Sequence, residues 1–295
     1  MKELLTIVLP CYNEAQNLPL FLPQLLKFAQ QKNYKVIIVN DGSSDRSYEL
    51  LCKFAVEYSL LTVVNHKVNR GYGGALKSGL MAVETMYAVT VDADGQHRLE
   101  DVEKCFECIS SSNADLVVGA RTNNESGTYR TVGKFLIRLF ARSLFELPIK
   151  DLNSGMKCYR MSETKQYLEL CPNSMAFSDV IALLMINDRR MVIETPIIIN
   201  SRTAGTSTIG TQTALNTIWE ILNLSILLRP MATFFRLGVF FLCLGIMWCT
   251  FTYLKSKILS SAAVMLIIFS LFSFLMGLLG EQLAQIRKLL ARKGM

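Results

Sequence analysis

Asp92 and Asp94, two acidic residues separated by one position, are the residues whose types and spacing point most directly to chemistry. They follow an apolar run typical of a buried strand, and Gly95, Gln96 and His97 come directly after them. Carboxylates at this spacing can hold Mg²⁺ or Mn²⁺ through oxygen ligands and leave coordination positions for phosphate oxygens. The pair therefore predicts a cation site that neutralises a diphosphate leaving group as a bond breaks.

Further polar clusters follow other predicted strands. Cys11–Glu14 comes after the first strand and Asn40–Asp45 after the second. Ligands of parallel α/β sheets bind at the carboxyl ends of strands, so we expect these clusters and the acidic pair to form one site. Asp41 has two interpretations: its segment can serve only as a turn and helix start, or Asp41 can accept hydrogen bonds from a nucleotide. The glycine-rich start of a helix at Asn69–Ala75 could bring backbone N–H groups near a phosphate or sugar.

The elements that must position these residues form an α/β domain. Short continuous apolar runs, typical of strands buried on both faces, alternate with helical patterns. The predicted strands are Leu4–Leu9, Val36–Val39, Leu61–Val64, Ala88–Val91 and Leu116–Val118. The predicted helices are Ala15–Gln31, Asp45–Tyr58, Ala75–Thr85 and Leu99–Ser111. This alternation predicts a Rossmann-like, mainly parallel sheet.

Two long apolar segments near the C-terminus predict a transmembrane hairpin. Leu237–Leu254 has 18 residues without a charge and Ile258–Gly280 has 23, and a bilayer core needs about 20 apolar residues. Lys255–Lys257 leaves only a tight turn between them. Basic residues flank the outer ends, so the positive-inside rule predicts a multi-pass inner-membrane protein with its N-terminal domain and C-terminus in the cytoplasm.

The composition agrees with a membrane-attached enzyme rather than a nucleic-acid-binding protein. Hydrophobic residues make up 51% of the 295 residues and charged residues 19%, against about 25% charged residues in a typical soluble domain. The formal net charge of +7 includes no run of five basic residues, and its placement beside apolar segments suits an anionic membrane surface. Cys105 and Cys108 lack a second ligand pair, which favours reduced thiols over a zinc site.

The predicted domain organisation has four parts. Thr213–Leu228 favours contact with a bilayer because it leads into the hairpin, whereas Lys134–Leu147 fits membrane contact and core packing equally well. The predicted parts are a cytosolic domain at 1–211, a juxtamembrane amphipathic helix at 212–230, two transmembrane helices within 231–281 and a basic cytosolic tail at 282–295.

Taken together, the motifs resemble glycosyltransferase family 2, which has the GT-A fold. The segments that carry the resemblance are Pro10–Glu14, Val39–Asp45, Asn69–Gly74, Asp92–His97 and Asp151–Lys157. With a C-terminal hairpin added, the chain is similar to the branch that contains dolichol-phosphate mannose synthases and bacterial undecaprenyl-phosphate glucosyltransferases.

This resemblance implies inverting transfer of a sugar from a UDP- or GDP-linked donor to a polyprenyl phosphate at the cytosolic membrane face, with Mg²⁺ or Mn²⁺. It allows a homo-oligomer. A processive polysaccharide synthase is an alternative, but such enzymes typically carry a Q-x-x-R-W motif and more spans, and neither Trp219 nor Trp248 follows an arginine. A non-catalytic membrane scaffold is a second alternative, which the intact acidic residues disfavour.

The resemblance also implies roles for individual residues. Those that would surround the nucleotide sugar are Pro10, Tyr12, Glu14, Val39, Asp41, Asp92, Ala93, Asp94, Gln96, Arg121 and Arg202. Asp94 and Gln96, with Asp92, would hold the metal. Asp151 would lie near the reacting sugar and, with Asp94, act in catalysis. Arg121 and Arg138 would meet the acceptor phosphate.

Two positions depart from the family pattern. Thr208 stands where relatives often have a lysine after the arginine matched by Arg202, which removes one expected phosphate contact. Met156 and Lys157 stand where Phe and Arg are usual. Lysine keeps the positive charge there but lacks the two-pronged donor geometry of arginine.

Overall fold

The computed structural model describes residues 4–93, 95, 97–122, 148–198, 211–257 and 260–293. The segment 134–147, with its two interpretations, lies outside these residues. The chain divides into two compact units, Met1–Ile218 and Trp219–Met295.

The first unit is built on one seven-stranded sheet with the order β3-β2-β1-β4-β6-β5-β7. Its strands are β1 Leu5–Cys11, β2 Lys35–Asp41, β3 Leu61–His66, β4 Tyr87–Thr90, β5 Leu116–Arg121, β6 Lys157–Arg160 and β7 Val192–Ile197. β6 is antiparallel to β4 and β5, and the remaining pairs are parallel. The prediction of a mainly parallel sheet is confirmed.

Helices cover both faces of this sheet. These helices are α1 Leu18–Lys32, α2 Ser47–Glu57, α3 Tyr72–Met81, α4 Leu99–Ser112, α5 Met161–Leu168 and α6 Phe177–Asn187. The next helix, α7 Thr211–Leu228, continues past Ile218, the last residue of the first unit. α1 begins three residues later than predicted because a turn, in which Glu14 O accepts the N–H of Asn17, precedes it. A proline in the first turn then favours helix initiation at Leu18.

α3 packs unusually close to the sheet. A Cβ at Gly79 would lie 2.5 Å from Val8 Cγ1 and 3.0 Å from Val39 Cγ2. These valines belong to β1 and β2, whose ends form the candidate site. A side chain at Gly79 would therefore push α3 away from these strands.

The substitution Gly79→Ala should therefore destabilise the domain. Alanine has the higher helix propensity, by about 1 kcal/mol, but overpacking a core costs about 1–3 kcal/mol and should outweigh it. Thermal unfolding in detergent would show a lower midpoint than wild type. Ser110→Ala, on the exposed face of α4, is the control, and a midpoint for Gly79→Ala at or above wild type would contradict the packing argument.

The second unit contains two long apolar helices, α8 Pro230–Ser256 and α9 Ser261–Lys293. Pro230–Lys255 and Ser261–Ile286 are each long and apolar enough to cross a membrane. They pack through small residues: a Cβ at Gly245 would lie 3.1 Å from Ile267, and one at Gly277 would lie 3.2 Å from the side chain of Phe234. Close approach at glycines is a common way for helices to associate in lipid.

Candidate active site

The loops after β1 and β2 are joined by hydrogen bonds at the carboxyl edge of the sheet. Asn13 donates its N–H to Ser43 Oγ at 3.0 Å, and its side-chain Oδ1 accepts the N–H of Ser44 at 2.8 Å. Glu14 donates its N–H to Ser47 Oγ at 2.8 Å. The serines of the second loop therefore hold the first loop in place.

Five residues predicted to surround the nucleotide lie on or beside the ends of β1, β2 and β4. Pro10 and Glu14 are half-buried, and Tyr12 is 48% exposed. Val39 is fully buried and Ala93 is 4% exposed. Tyr12 thus offers an accessible ring, whereas the side chain of Val39 belongs to the core.

Asp41 organises the loop between β3 and α3. Its Oδ1 accepts the N–H of Arg70 at 2.8 Å and lies 2.7 Å from His66 Nδ1, and its Oδ2 accepts the N–H of Gly71 at 2.9 Å. Nε2 of His66 in turn lies 2.8 Å from Ser78 Oγ. A carboxylate has about four acceptor positions, so these contacts leave Asp41 little capacity for a ligand.

The glycine-rich start of α3 serves close packing. Gly73 and Gly74 donate their N–H groups to the carbonyl oxygen of Asn173 at 2.9 Å and 3.3 Å. Gly71 has φ +85°, and a Cβ there would lie 2.6 Å from the same oxygen. Because these N–H groups already have protein partners, the structure does not support the expectation that they face a phosphate.

Asp92 is held in one orientation at the end of β4. The Tyr72 hydroxyl donates to Oδ1 at 3.0 Å, and His97 Nε2 lies 3.4 Å from Oδ2. A Cβ at Gly155 would lie 2.7 Å from Oδ2, so only glycine allows this approach. Burial raises the pKa of Asp92, but the contacts with His97 and Tyr72 outweigh it and lower the pKa overall. The carboxylate is therefore ionised and oriented, with its side chain 35% exposed.

Arg121 and Asp151 form a two-pronged ion pair. Arg121 Nε donates to Oδ2 of Asp151 and Nη2 donates to Oδ1, both at 2.7 Å. Nη2 also donates to the carbonyl of Asn153 at 3.1 Å. Burial raises the pKa of Asp151, but Arg121 outweighs it and lowers the pKa overall. Among the nitrogen atoms of the Arg121 guanidinium, only Nη1 has no protein partner in the described part of the chain.

The loop that carries Asp151 is anchored at both ends. Glu194 Oε1, on β7, accepts the N–H of Lys150 at 2.5 Å and that of Asp151 at 2.6 Å. Thr90 Oγ1, at the end of β4, donates to the carbonyl of Gly155 at 2.7 Å. The backbone between these anchors brings the Arg121–Asp151 pair and the carboxylate of Asp92 to one edge of the sheet.

Four predicted site residues, Asp94, Gln96, Arg138 and Arg202, lie outside the described residues, as does Thr208. Among those described, no group of three or more His, Cys, Asp or Glu side chains forms a metal cluster. Asp92 nevertheless fits a metal ligand, because it is an ionised, partly exposed oxygen donor in a fixed orientation.

Two comparisons with protein families match this chain. The family described as Glycosyl transferase family 2 matches residues 6–167. The family described as GtrB C-terminal hairpin matches residues 229–286, which include both apolar helices up to Ile286.

Curated relatives include transferases that are named for polyprenyl phosphates. A dolichyl-phosphate beta-glucosyltransferase of Trichomonas vaginalis is 31% identical over 55% of this chain and 54% of its own length. The dolichyl-phosphate beta-glucosyltransferase of Saccharomyces cerevisiae is 29% identical over 65% of this chain and 66% of its own length. An undecaprenyl-phosphate 4-deoxy-4-formamido-L-arabinose transferase of Edwardsiella ictaluri is 26% identical over 96% of this chain and 90% of its own length. The chain spans between about half and two thirds of the length of its dolichyl-phosphate relatives.

Solved structures confirm the fold. Glucosyl-3-phosphoglycerate synthase of Mycobacterium tuberculosis, in complex with Mn²⁺, uridine-diphosphate-glucose and phosphoglyceric acid, has a TM-score of 0.58. Its identity is 15%, and the match covers 76% of this chain and 80% of that one. The resemblance that the motifs indicated is confirmed: with its family match extending from residue 6 to residue 167 of 295, the chain belongs to glycosyl transferase family 2.

Proposed function

We propose that this chain transfers a sugar from a UDP- or GDP-linked donor to a polyprenyl phosphate. The observation that carries the proposal is that one loop positions both Asp92 and Arg121. Gly155 of this loop lies against Asp92, and Asp151 of the same loop binds Arg121. Family membership supports sugar transfer, and the names of the relatives support a lipid phosphate acceptor.

The ion pair supports a reaction that needs no protein base. Asp151 accepts two charge-assisted bonds from Arg121 and stays ionised, so it is poorly placed to accept a proton. A phosphate monoester has a second pKa of about 6 and is already largely ionised at neutral pH. In the proposed step a phosphate oxygen bonds to the anomeric carbon as the bond to the diphosphate breaks, and the configuration at that carbon inverts.

Arg121 is the residue that we assign to phosphate binding. Asp151 fixes the guanidinium plane, and Nη1 remains available for an oxygen of the acceptor or the diphosphate. Asp92, with Asp94 and Gln96, would hold Mg²⁺ or Mn²⁺. The metal would neutralise negative charge on the departing diphosphate. In support, glucosyl-3-phosphoglycerate synthase, a protein of similar fold, has been crystallised with Mn²⁺ or Mg²⁺ and a uridine nucleotide.

The two apolar helices support a reaction at a membrane. A lipid-linked phosphate lies in the headgroup plane, and an enzyme attached to the same membrane meets it without leaving the surface. The basic residues outside the spans support, by the positive-inside rule, a catalytic domain on the cytoplasmic face of the inner membrane.

A donor and acceptor panel tests this function. Detergent-solubilised protein would be incubated with polyprenyl phosphate, Mn²⁺ or Mg²⁺ and single UDP- or GDP-sugars, and the lipid extract would be analysed by mass spectrometry. We expect one donor to add the mass of one sugar to the lipid, and EDTA to reduce the rate by at least about a hundredfold. Absence of a glycolipid with every donor, or full activity in EDTA, would contradict the proposal.

A further inference from the structure

Lys157, the first residue of β6, carries a buried ammonium group that the proposed reaction does not use. Its side chain is fully buried. Nζ donates to the carbonyl oxygens of Leu152 at 2.9 Å and Ser154 at 2.5 Å. Burying a charge is costly unless it is paired and hydrogen-bonded, and an apolar side chain would fill this position at lower cost to the fold. The ammonium therefore requires an explanation beyond packing.

The two carbonyls belong to the loop that links both halves of the candidate site. One end of this loop is Asp151, which holds Arg121, and the other is Gly155, which lies against Asp92. Lys157 binds the backbone between these ends, on either side of Asn153. Its ammonium is thus the internal support of the segment that sets the distance between the ion pair and the acidic turn.

A buried counter-charge lies on the neighbouring helix α6. Asp179 is fully buried, and its Oδ2 lies 3.5 Å from Asn153 Nδ2. Burial raises the pKa of Asp179 to about 6 and lowers the pKa of Lys157 to about 8, and each charge opposes the shift of the other. The ammonium of Lys157 therefore favours the ionised form of Asp179. This ammonium has two possible roles, which are to hold the loop or only to offset the charge of Asp179.

We propose that Lys157 is a positioning residue for sugar transfer, which holds the loop 151–155 so that Arg121 and Asp92 act on the same diphosphate and acceptor. The inference rests on the proposed function. It makes Lys157 responsible for the geometry of the site, in addition to any effect of its charge on the stability of the domain.

A double substitution separates the two roles. Lys157→Met leaves Asp179 as a buried, uncompensated carboxylate, so this variant should lose both stability and activity. Adding Asp179→Asn removes that charge but still leaves the carbonyls of Leu152 and Ser154 without a donor. We expect the double variant to recover most of the unfolding temperature, while kcat stays at least about tenfold below wild type, because small misplacements of reacting groups are costly. The KM for the donor should change less than kcat.

Lys165→Met is the matched control. Lys165 Nζ also donates to a backbone carbonyl, at 2.8 Å from the oxygen of Val83, and this contact lies away from the site. Recovery of kcat together with stability in the double variant would overturn the inference, and so would a double variant that fails to fold. A wild-type chain that makes no glycolipid would instead refute the proposed function, so the two failures are distinguishable.

Discussion

Replacing Asp92 with asparagine should lower kcat/KM for sugar transfer by about 10²–10³-fold, as expected when an electrostatic group that stabilises developing charge is removed. Asparagine has the same shape, so the close contact with Gly155 and the bond from Tyr72 can persist. The negative charge that attracts a divalent cation is lost. Initial rates measured over a range of Mn²⁺ concentrations should show that the variant needs more metal for half-maximal activity.

Asp115→Asn provides the control for this experiment. Asp115 precedes β5, at the opposite edge of the sheet, where its carboxylate accepts the N–H of Met191 at 2.9 Å. The substitution Asp115→Asn removes one negative charge from the same domain, as Asp92→Asn does, and should leave the metal requirement unchanged. An Asp92→Asn variant with wild-type rates and a wild-type metal requirement would exclude Asp92 from the metal site.

The second large effect is expected for Asp151→Asn, which should lower kcat by about a hundredfold. An asparagine side chain offers one acceptor oxygen where Asp151 offers two to the fork of Arg121. The guanidinium should then leave its present plane and approach the phosphate in several orientations. Steady-state rates with donor and acceptor varied separately would show a loss mainly in kcat.

Because Arg121 and Asp151 act as a unit, their effects should not add. The double variant Arg121→Gln with Asp151→Asn should be about as slow as the slower single variant. Glu163→Gln is the control, since it removes one partner of the more exposed ion pair with Arg190, and such pairs contribute about 0–1 kcal/mol. Full turnover by Asp151→Asn, or additive losses, would contradict the role assigned to this pair.

Much of the fold was predictable because its central strands are continuous apolar runs. β1, β2, β3, β4 and β5 were each predicted to within a few residues. β6 was not predicted, since Lys157–Arg160 has four residues, two of them basic, and no apolar periodicity. Its place between β4 and β5 depends on antiparallel pairing with strands distant in sequence, which local pattern does not reveal.

The candidate site was predicted in part. Asp92, Arg121 and Asp151 were identified by motif, and the structure brings them to one sheet edge. Tyr72 and Glu194 were missed because they act on residues 20 and 43 positions away. The sequence carries no local signal for such contacts.

Burial also changed the interpretation of individual charges and glycines. From the sequence, Lys157 could be said only to keep the positive charge of the arginine usual at its position, whereas in the structure it is fully buried beneath a loop. The glycines of the α3 start suggested phosphate binding, but their N–H groups bind the carbonyl of Asn173, about 100 positions further along the chain. Such assignments require the tertiary partners.

The central claim is tested most directly by identifying where a labelled sugar goes. Purified chain, Mn²⁺, polyprenyl phosphate and the nucleotide sugar selected by the donor panel would react, and the products would be separated into lipid, polymer and free sugar. We predict one sugar per lipid phosphate, with the anomeric configuration opposite to that of the donor by NMR. Label in a polymer, release of free sugar alone, or retention of configuration would contradict the proposed reaction.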